Sequence, residues 1–560
     1  RKSWLSGDTV AGLTVGVMLI PQGMAYAMIA GLPPIHGLYA STIPLVLYAL
    51  LGTSRQLAVG PVAMVSLLTA AGIGALNPES PEVYLYLAFT LAFMVGAIQF
   101  FMGAFRLGFL VNFLSHPVIS GFTSAAAIII GLSQLKHLLG VKLPRNQHVH
   151  GILISAVQHI GETNLVTLAV GIGAIFIIKF SKKIHRSIPG ALVAVIAGIL
   201  VVWGFHFSEA GVKIVGDVPQ GLPGFSLPGF DLATWQKLLP AALTISLVGF
   251  MESFAVAKAI QAKHKDYEVD ANQELIGLGV ANFGAAVFQG YPVTGGFSRT
   301  AVNDQAGANS GLASIISAAT IVLTLLFLTP LFYYLPNAVL AAVILVAVSG
   351  LIDYKEAMRL WRNDRSDFWM LFATFLVTLT LGIETGIGVG VLLSLGVVIY
   401  RSTRPHVAVL GRVPDSGFYR NLDRFDNLEQ RPDVLVVRFD GPLYFTNLNY
   451  FRDKMAGLME QKGNALRLIV LNGDSISYLD SSAAHVLGEW VLDNRNRGIE
   501  VYFTKVIGPV RDAMKKWGLM EIIGENNFFM SNQQAIEAFD GNRQKGSGHG
   551  FESYVLQANK

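Results

Sequence analysis

The sequence has no cysteine and little charge. Among its 560 residues, Asp, Glu, Lys and Arg make up 14%, against about 25% in an ordinary soluble domain. Without cysteine there are no disulfides and no thiolate metal ligands. There is also no Walker-type phosphate loop, no cluster of metal-ligating side chains and no nucleophile–base pair. Nothing in the chain therefore points to an enzyme, a metal or an organic cofactor. The net charge of +4 is spread over loops and marks no nucleic-acid surface.

The shortage of charge is uneven. Up to Tyr400 apolar runs follow one another, whereas Arg401–Lys560 has soluble composition. Leu87–Phe105, Val166–Phe180, Ala191–Phe207 and Val339–Ile352 are of spanning or near-spanning length for a hydrocarbon core of about 30 Å. The opening "RKSWLSGDTVAGLTVGVMLIP" leads into the first span, 11–30, without a cleavage site. We count about fourteen spans in a polytopic α-helical membrane domain, several of them short enough to be half-helices. Arg1, Lys2, Arg55, Arg106 and the basic loops at 181–186, 262–265, 353–365 and 401–404 fall on one side. The loops at 77–82 and 207–235 on the other side are acidic or neutral, and the basic segment 136–150 is the exception. The positive-inside rule with an even span count then puts both termini in the cytoplasm.

Beyond Arg404 the pattern changes. "DVLVVRFDGPLYFTN" (433–447) reads as two short strands around a turn, 448–463 as a helix and 466–473 as a buried strand. A helix over 481–498, a strand over 499–506 and a helix over 508–520 complete a compact α/β domain. The expected boundaries are 1–404 for the membrane domain, 405–541 for the α/β domain and 542–560 for a polar, disordered tail.

The two halves of the membrane domain echo each other. Each carries a short third element interrupted by Gly and Pro: "RQLAVGPVAMVSL" (55–67) and "YPVTGGFSRTAV" (291–302). Matching interrupted segments point to the central site of a transporter. Both read as an extended stretch followed by a helix start, with Pro61 at the first helical position. Two helix N-termini facing one cavity present free N–H groups and positive dipole ends, which is an anion site. Arg299 adds a full charge there, and a charge within a span is functional by default. The alternative for Arg299 is a structural partner of a helix C-terminus or a carboxylate. Ser298 either donates to an anion or bonds back to its own helix. Glu252 is an acid inside an apolar span, and a carboxylate that trades a proton for an arginine partner is the simplest device for H⁺-driven transport. Its alternative is a permanent ion pair with Arg299 or Lys258. Gln22 and Tyr26 share one face of the first span at i and i+4 and could face the anion.

These residues together resemble the sulfate permease family of anion transporters. Segment 20–69, "IPQGMAYAMIAGLPPIHGLY…", is similar to the family's signature, and 280–315 to its second block. Region 405–540, with "LDSSAAHVL" at 479–487, resembles its C-terminal STAS domain. Segments 252–284 and 347–368 look closest to the plant-type proton-coupled sulfate transporters. The resemblance implies two inverted repeats of seven spans, split into core and gate domains, and a homodimer. It implies anion contacts from Gln22, Tyr26, Val62, Ala63, Phe297, Ser298 and Arg299, and proton coupling through Glu252. Sulfate or a similar oxyanion would be the substrate and H⁺ the coupling ion, in a bacterial inner membrane or a plant-type organellar or plasma membrane. A bicarbonate or dicarboxylate carrier, an anion exchanger, or a STAS-based signalling protein are the alternatives. In related STAS domains a serine of a D-S-S-G motif is phosphorylated. Here Ser481 and Ser482 precede Ala483 instead of glycine, and a plain helix cap is the other reading of the pair. The STAS domain would serve dimerisation, folding and regulatory partners.

Overall fold

A computed structural model describes residues 2–109, 115–141, 149–184 and 189–546. The chain divides into two compact units, 1–394 and 395–560, so the division falls within the last long apolar helix rather than at residue 404.

The first unit begins with α1 (Lys2–Ile29), α2 (Ile35–Tyr39), α3 (Ile43–Leu51), the two-residue strand β1 (Val59–Gly60), α4 (Ala63–Gly74) and α5 (Pro81–Ala104). It continues with α6 (His116–Ser133), α7 (Leu135–Leu139), α8 (Val149–Gln158), α9 (Leu165–Ile184) and α10 (Gly190–Gly204). The second half repeats the plan with α11 (Leu232–Gln261), α12 (Ala271–Val287), β2 (Thr294–Gly295), α13 (Phe297–Gln305) and α14 (Leu312–Leu323). Then come α15 (Asn337–Ser349), α16 (Tyr354–Asn363), α17 (Arg365–Leu381) and α18 (Ile383–Thr403). Among the described residues, seven helices are long and apolar enough to cross a membrane, and several shorter apolar ones accompany them.

The helices pack in two sets, as expected of a core and a gate. In one, α12 lies along α5 and α3, α11 along α5 and α4, and α1 along α14 and α13. In the other, α17 packs on α6, and α15 on α9, α6 and α7. The sets meet where α1 touches α15 and α10, and where α4 touches α6. Small residues permit the closest approaches, as apolar helices without a hydrophobic drive require. A Cβ on Gly279 would lie 2.8 Å from the Gly96 carbonyl oxygen, across the α5–α12 seam.

Two connections between the sets run side by side. Residues 205–231 lead from α10 to α11, and 324–336 lead from α14 to α15, beginning as a π-turn over Thr324–Leu328. The amides of Val215 and Gly216 donate to the carbonyls of Leu335 (2.8 Å) and Tyr333 (3.1 Å). The amide of Asn337 donates to Lys213 (3.0 Å), and that of Gly221 to Leu325 (3.1 Å).

The second unit is a six-stranded sheet in the order β4-β3-β5-β6-β7-β8. Its strands are β3 (His406–Arg412), β4 (Tyr419–Asn421), β5 (Val434–Asp440), β6 (Leu468–Asn472), β7 (Glu500–Thr504) and β8 (Phe528–Phe529). The run β5 to β8 is parallel, and β3 is antiparallel to both neighbours. Alternation along β5 sends Leu435, Val437 and Phe439 to one face and Val434 and Val436 to the other. Helices α19 (Leu448–Lys462), α20 (Ser481–Asn496), α21 (Gly508–Lys516) and α22 (Leu519–Ile523) cover the first face, and α23 (Asn532–Gly546) the second. A parallel sheet covered on both faces accounts for the continuous apolar run of β6.

Three details depart from the sequence reading. Segment 433–447 gives one strand, because the chain leaves the sheet at Gly441 and Pro442 and makes only an isolated bridge from Leu443 to Leu479. The helix expected over 508–520 breaks at Gly518, which sits in the left-handed region at φ 69°. The tail expected from 542 is helical up to Gly546, and its remainder lies outside the described residues.

Candidate functional site

The two interrupted elements meet. β1 and β2 pair antiparallel, Val59 opposite Gly295 and Gly60 opposite Thr294, and each strand runs directly into a helix start. Val62 is the extended N-cap of α4 (φ −131°, ψ 151°) and Gly296 that of α13 (φ −103°, ψ 130°), and neither end is capped by a side chain. The first-turn N–H groups of both helices therefore have no intrahelical or capping acceptor. Pro61 lies just before the cap and not at the first helical position as its sequence suggested. Its carbonyl serves the site instead, accepting from Arg299 Nη1 at 2.5 Å.

Arg299 is buried, and its Nε and Nη2 are buried without a protein acceptor. Neither alternative partner is present: Arg299 bonds to a loop carbonyl, and among the described residues no ion pair within 4.0 Å joins it to Glu252. Among the described residues Lys258 does not pair with Glu252 either, and its ammonium donates to Gln261 Oε1 at 2.9 Å. The guanidinium lies within electrostatic range of Tyr26, Glu252 and Tyr291. Glycines make room for it. Gly60 has φ +153°, which side chains rarely adopt, and a Cβ on Gly296 would sit 3.0 Å from Nη2.

Around this charge the structure gathers most of the residues expected there. Val62 and Ala63 form the start of α4 and Phe297, Ser298 and Arg299 that of α13, with Val62 Cγ1 3.3 Å from the Cβ that Gly296 lacks. Phe297 and Ser298 are exposed on that first turn. Gln22 and Tyr26 come from α1, which packs on both α4 and α13, and both are largely buried. Among the described residues, the Gln22 amide, the Tyr26 and Ser298 hydroxyls and the Glu252 carboxylate make no hydrogen bond to protein. Burying polar groups unpaired costs about 1–3 kcal/mol each, a cost that falls here on Arg299 Nε and Nη2, and the unbonded polar side chains beside that guanidinium make a binding arrangement with it. All the free N–H groups and the charge have the polarity an oxyanion needs.

The sequence reading missed the side chains that hold the cradle in shape. Asn282 on α12 accepts from the Val293 amide (2.8 Å) and donates to the Val293 carbonyl (3.1 Å), acting as an extra strand edge for β2. Its amide also meets Gln99 Oε1 at 3.1 Å. Thr300 accepts from the Ala58 amide (3.0 Å), and Asn303 donates to the Gln56 carbonyl (2.9 Å). Gln99 and Asn282 stand out as amides within apolar spans, which is the signal that could have found them.

Ser481 and Ser482 lie in the other unit, both exposed, at the first turn of α20. Neither is the cap: Asp480 is, its Oδ1 accepting from the Ala483 amide at 2.7 Å. The carboxylate fits the role better because it answers both the helix dipole and a free N–H.

The chain is similar to several known proteins. A model of the "Sulfate permease family" matches residues 5–374 and one of the "STAS domain" matches 427–535. "Sulfate transporter 4.1, chloroplastic" of Arabidopsis thaliana is 40% identical over 548 residues, 95% of this chain and 79% of that protein. "High affinity sulfate transporter 2" of Stylosanthes hamata is 33% identical over 95% of this chain and 84% of that protein. Among solved structures, the murine Solute Carrier 26 family member A9 anion transporter, inward-facing, superposes with a TM-score of 0.90 at 26% identity. It covers 97% of this chain and 92% of that one. The transmembrane domain of a cyanobacterium bicarbonate transporter, BicA, gives 0.62 at 26% identity over 70% of this chain and 97% of that one.

Proposed function

The chain belongs to the sulfate permease family, and from that premise we propose that it carries sulfate across a membrane as a secondary active H⁺ symporter. The observation that carries the reading is the buried guanidinium of Arg299, with two unpartnered nitrogens, beside two uncapped helix starts. Sulfate binds between α4 and α13, meeting backbone N–H groups at Val62–Ala63 and Phe297–Ser298, with Gln22, Tyr26 and the Ser298 hydroxyl completing the shell. Arg299 supplies the field and, through Nε and Nη2, two donors to the anion. Glu252 takes up the proton, and its neutralisation frees the loaded core helices to move against the gate. Both termini lie in the cytoplasm, and the STAS domain supports dimerisation and regulation, with Ser481 and Ser482 accessible to modification. Sulfate is preferred over bicarbonate because the relatives named for sulfate reach 40% identity along nearly the whole chain.

The test is uptake of labelled sulfate into proteoliposomes with and without an inward proton gradient. Gradient-stimulated accumulation is expected, competed by selenate and molybdate. Competition by bicarbonate or fumarate instead would assign the substrate to the alternative carriers, and uptake indifferent to the gradient would make the protein an exchanger.

A further inference from the structure

No ion pair within 4.0 Å joins Glu252 to the anion cradle among the described residues; its charge reaches Arg299 only through space, so a mechanical link between the two has to run through other residues. The next residue along α11 does touch the cradle. Ser253 Oγ accepts from the Gly295 amide at 2.6 Å and lies 2.6 Å from Thr294 Oγ1, and Thr294 Oγ1 donates to the Gly249 carbonyl at 2.5 Å. A hydroxyl has one proton. Thr294 uses its own on Gly249, so Ser253 must donate to Thr294. The chain therefore has a fixed direction, from Gly295 N–H through Ser253 and Thr294 to Gly249, one turn before the acid. Ser253 and Thr294 are fully buried.

The junction is built tightly. A Cβ on Gly295 would sit 2.9 Å from Ser253 Oγ, and one on Gly249 3.3 Å from Thr294 Oγ1, so both glycines let α11 and β2 come this close. The β1–β2 ladder is only two residues long, and so short a ladder has little stability of its own. Gly295 adjoins Gly296, the N-cap of α13. The charged and titratable groups around Glu252 are Arg299 and Tyr26, both in electrostatic range of it, and Lys258 on the same helix, which is bonded to Gln261.

We propose that Ser253 is a positioning residue that fastens the turn of α11 bearing Glu252 to the backbone that opens α13, so that a change at the acid displaces the anion-binding helix start. This rests on the reading of Glu252 as the proton-accepting group, but not on the identity of the anion.

The test is hydrogen–deuterium exchange on the full chain in nanodiscs, following a peptide that spans residues 293–300, with no substrate added. Glu252→Gln, which fixes the acid in a neutral form, is expected to change exchange there several-fold. In a Ser253→Ala background that response is expected to vanish. Thr294→Val keeps the Gly295–Ser253 bond, and Ser253 can turn its proton to the carbonyl of Gly249, so the response is expected to persist. In counterflow, Ser253→Ala is expected to raise the sulfate KM about tenfold at a maintained maximal rate. An equal Glu252→Gln response with and without Ser253, no response in the parent, or its equal loss in Thr294→Val would each overturn the proposal. A protein that fails to transport sulfate in proteoliposomes would count against the substrate alone, because the exchange experiment contains none.

Discussion

Arg299 donates Nη1 to the carbonyl of Pro61 at 2.5 Å, across the pairing of β1 with β2. One bond thereby links the two halves of the repeat at the point where both helices begin. It also fixes the guanidinium plane, leaving Nε and Nη2 as the two donors without a protein acceptor.

Arg299→Lys preserves the charge and removes the planar fork, so it separates field from geometry. A hydrogen bond to a charged group contributes about 1.5–3 kcal/mol, so sulfate binding by the purified protein should weaken roughly 10- to 100-fold. A loss under threefold would mean that Arg299 acts only through its field.

Glu252→Gln should abolish sulfate accumulation driven by a pH gradient while counterflow stays within about threefold of the parent, a contrast set by coupling and not by binding. Undiminished accumulation would remove Glu252 from the coupling role.

Gly60→Ala places a side chain at φ +153°, a region that costs of order 1–3 kcal/mol outside glycine. Lower thermal stability and a raised sulfate KM are expected together. Gly131→Ala is the control: it lies in α6 with its nearest contact 3.7 Å away, and alanine should be neutral or mildly stabilising there.

Asn282→Leu strands the Val293 N–H and C=O groups that the amide now satisfies. A stability loss of about 2–6 kcal/mol is expected from two unpaired buried groups, read as a lowered melting temperature in detergent. Asn282→Asp keeps the acceptor for the Val293 amide but turns a carboxylate oxygen on the Gln99, Leu278 and Val293 oxygens, and should lose at least as much.

In the STAS unit, burial works to raise the pKa of Asp440. The hydrogen bonds from Arg438 and His406 outweigh it and leave the carboxyl below its usual value. A group whose folded pKa is depressed stabilises above its unfolded value, about 3.9, and the contribution is lost as pH falls through the folded one. Hydrogen exchange in β5 should therefore accelerate as pH drops below about 4 beyond the intrinsic rate change, and Asp440→Asn should flatten that extra dependence.

The cradle was legible in the sequence because its parts contradict their surroundings. Arg299, Glu252, Gly295 and Gly296 are out of place in apolar spans, and the half-helices at 63–74 and 297–305 follow from the Gly and Pro that precede them. The pairing of β1 with β2 was not legible, since two residues of strand leave no period to detect. Nor was the partner of Arg299. A carbonyl carries no side-chain identity, so spacing pointed to Glu252 while the fold supplied Pro61. In the STAS domain the apolar strands β6 and β7 were found from their runs. The short β4 and β8 were missed because their stability comes from neighbouring strands and not from their own residues.

The fastened connections at 205–231 and 324–336 have a mechanical meaning. A body held by two separate straps can translate, as each strap pays out by its own amount. Here the bonds from Val215, Gly216, Asn337 and Gly221 sew the straps into one band, so neither can lengthen alone. On that face any displacement of the anion-bearing helices has to carry both straps together or break those bonds.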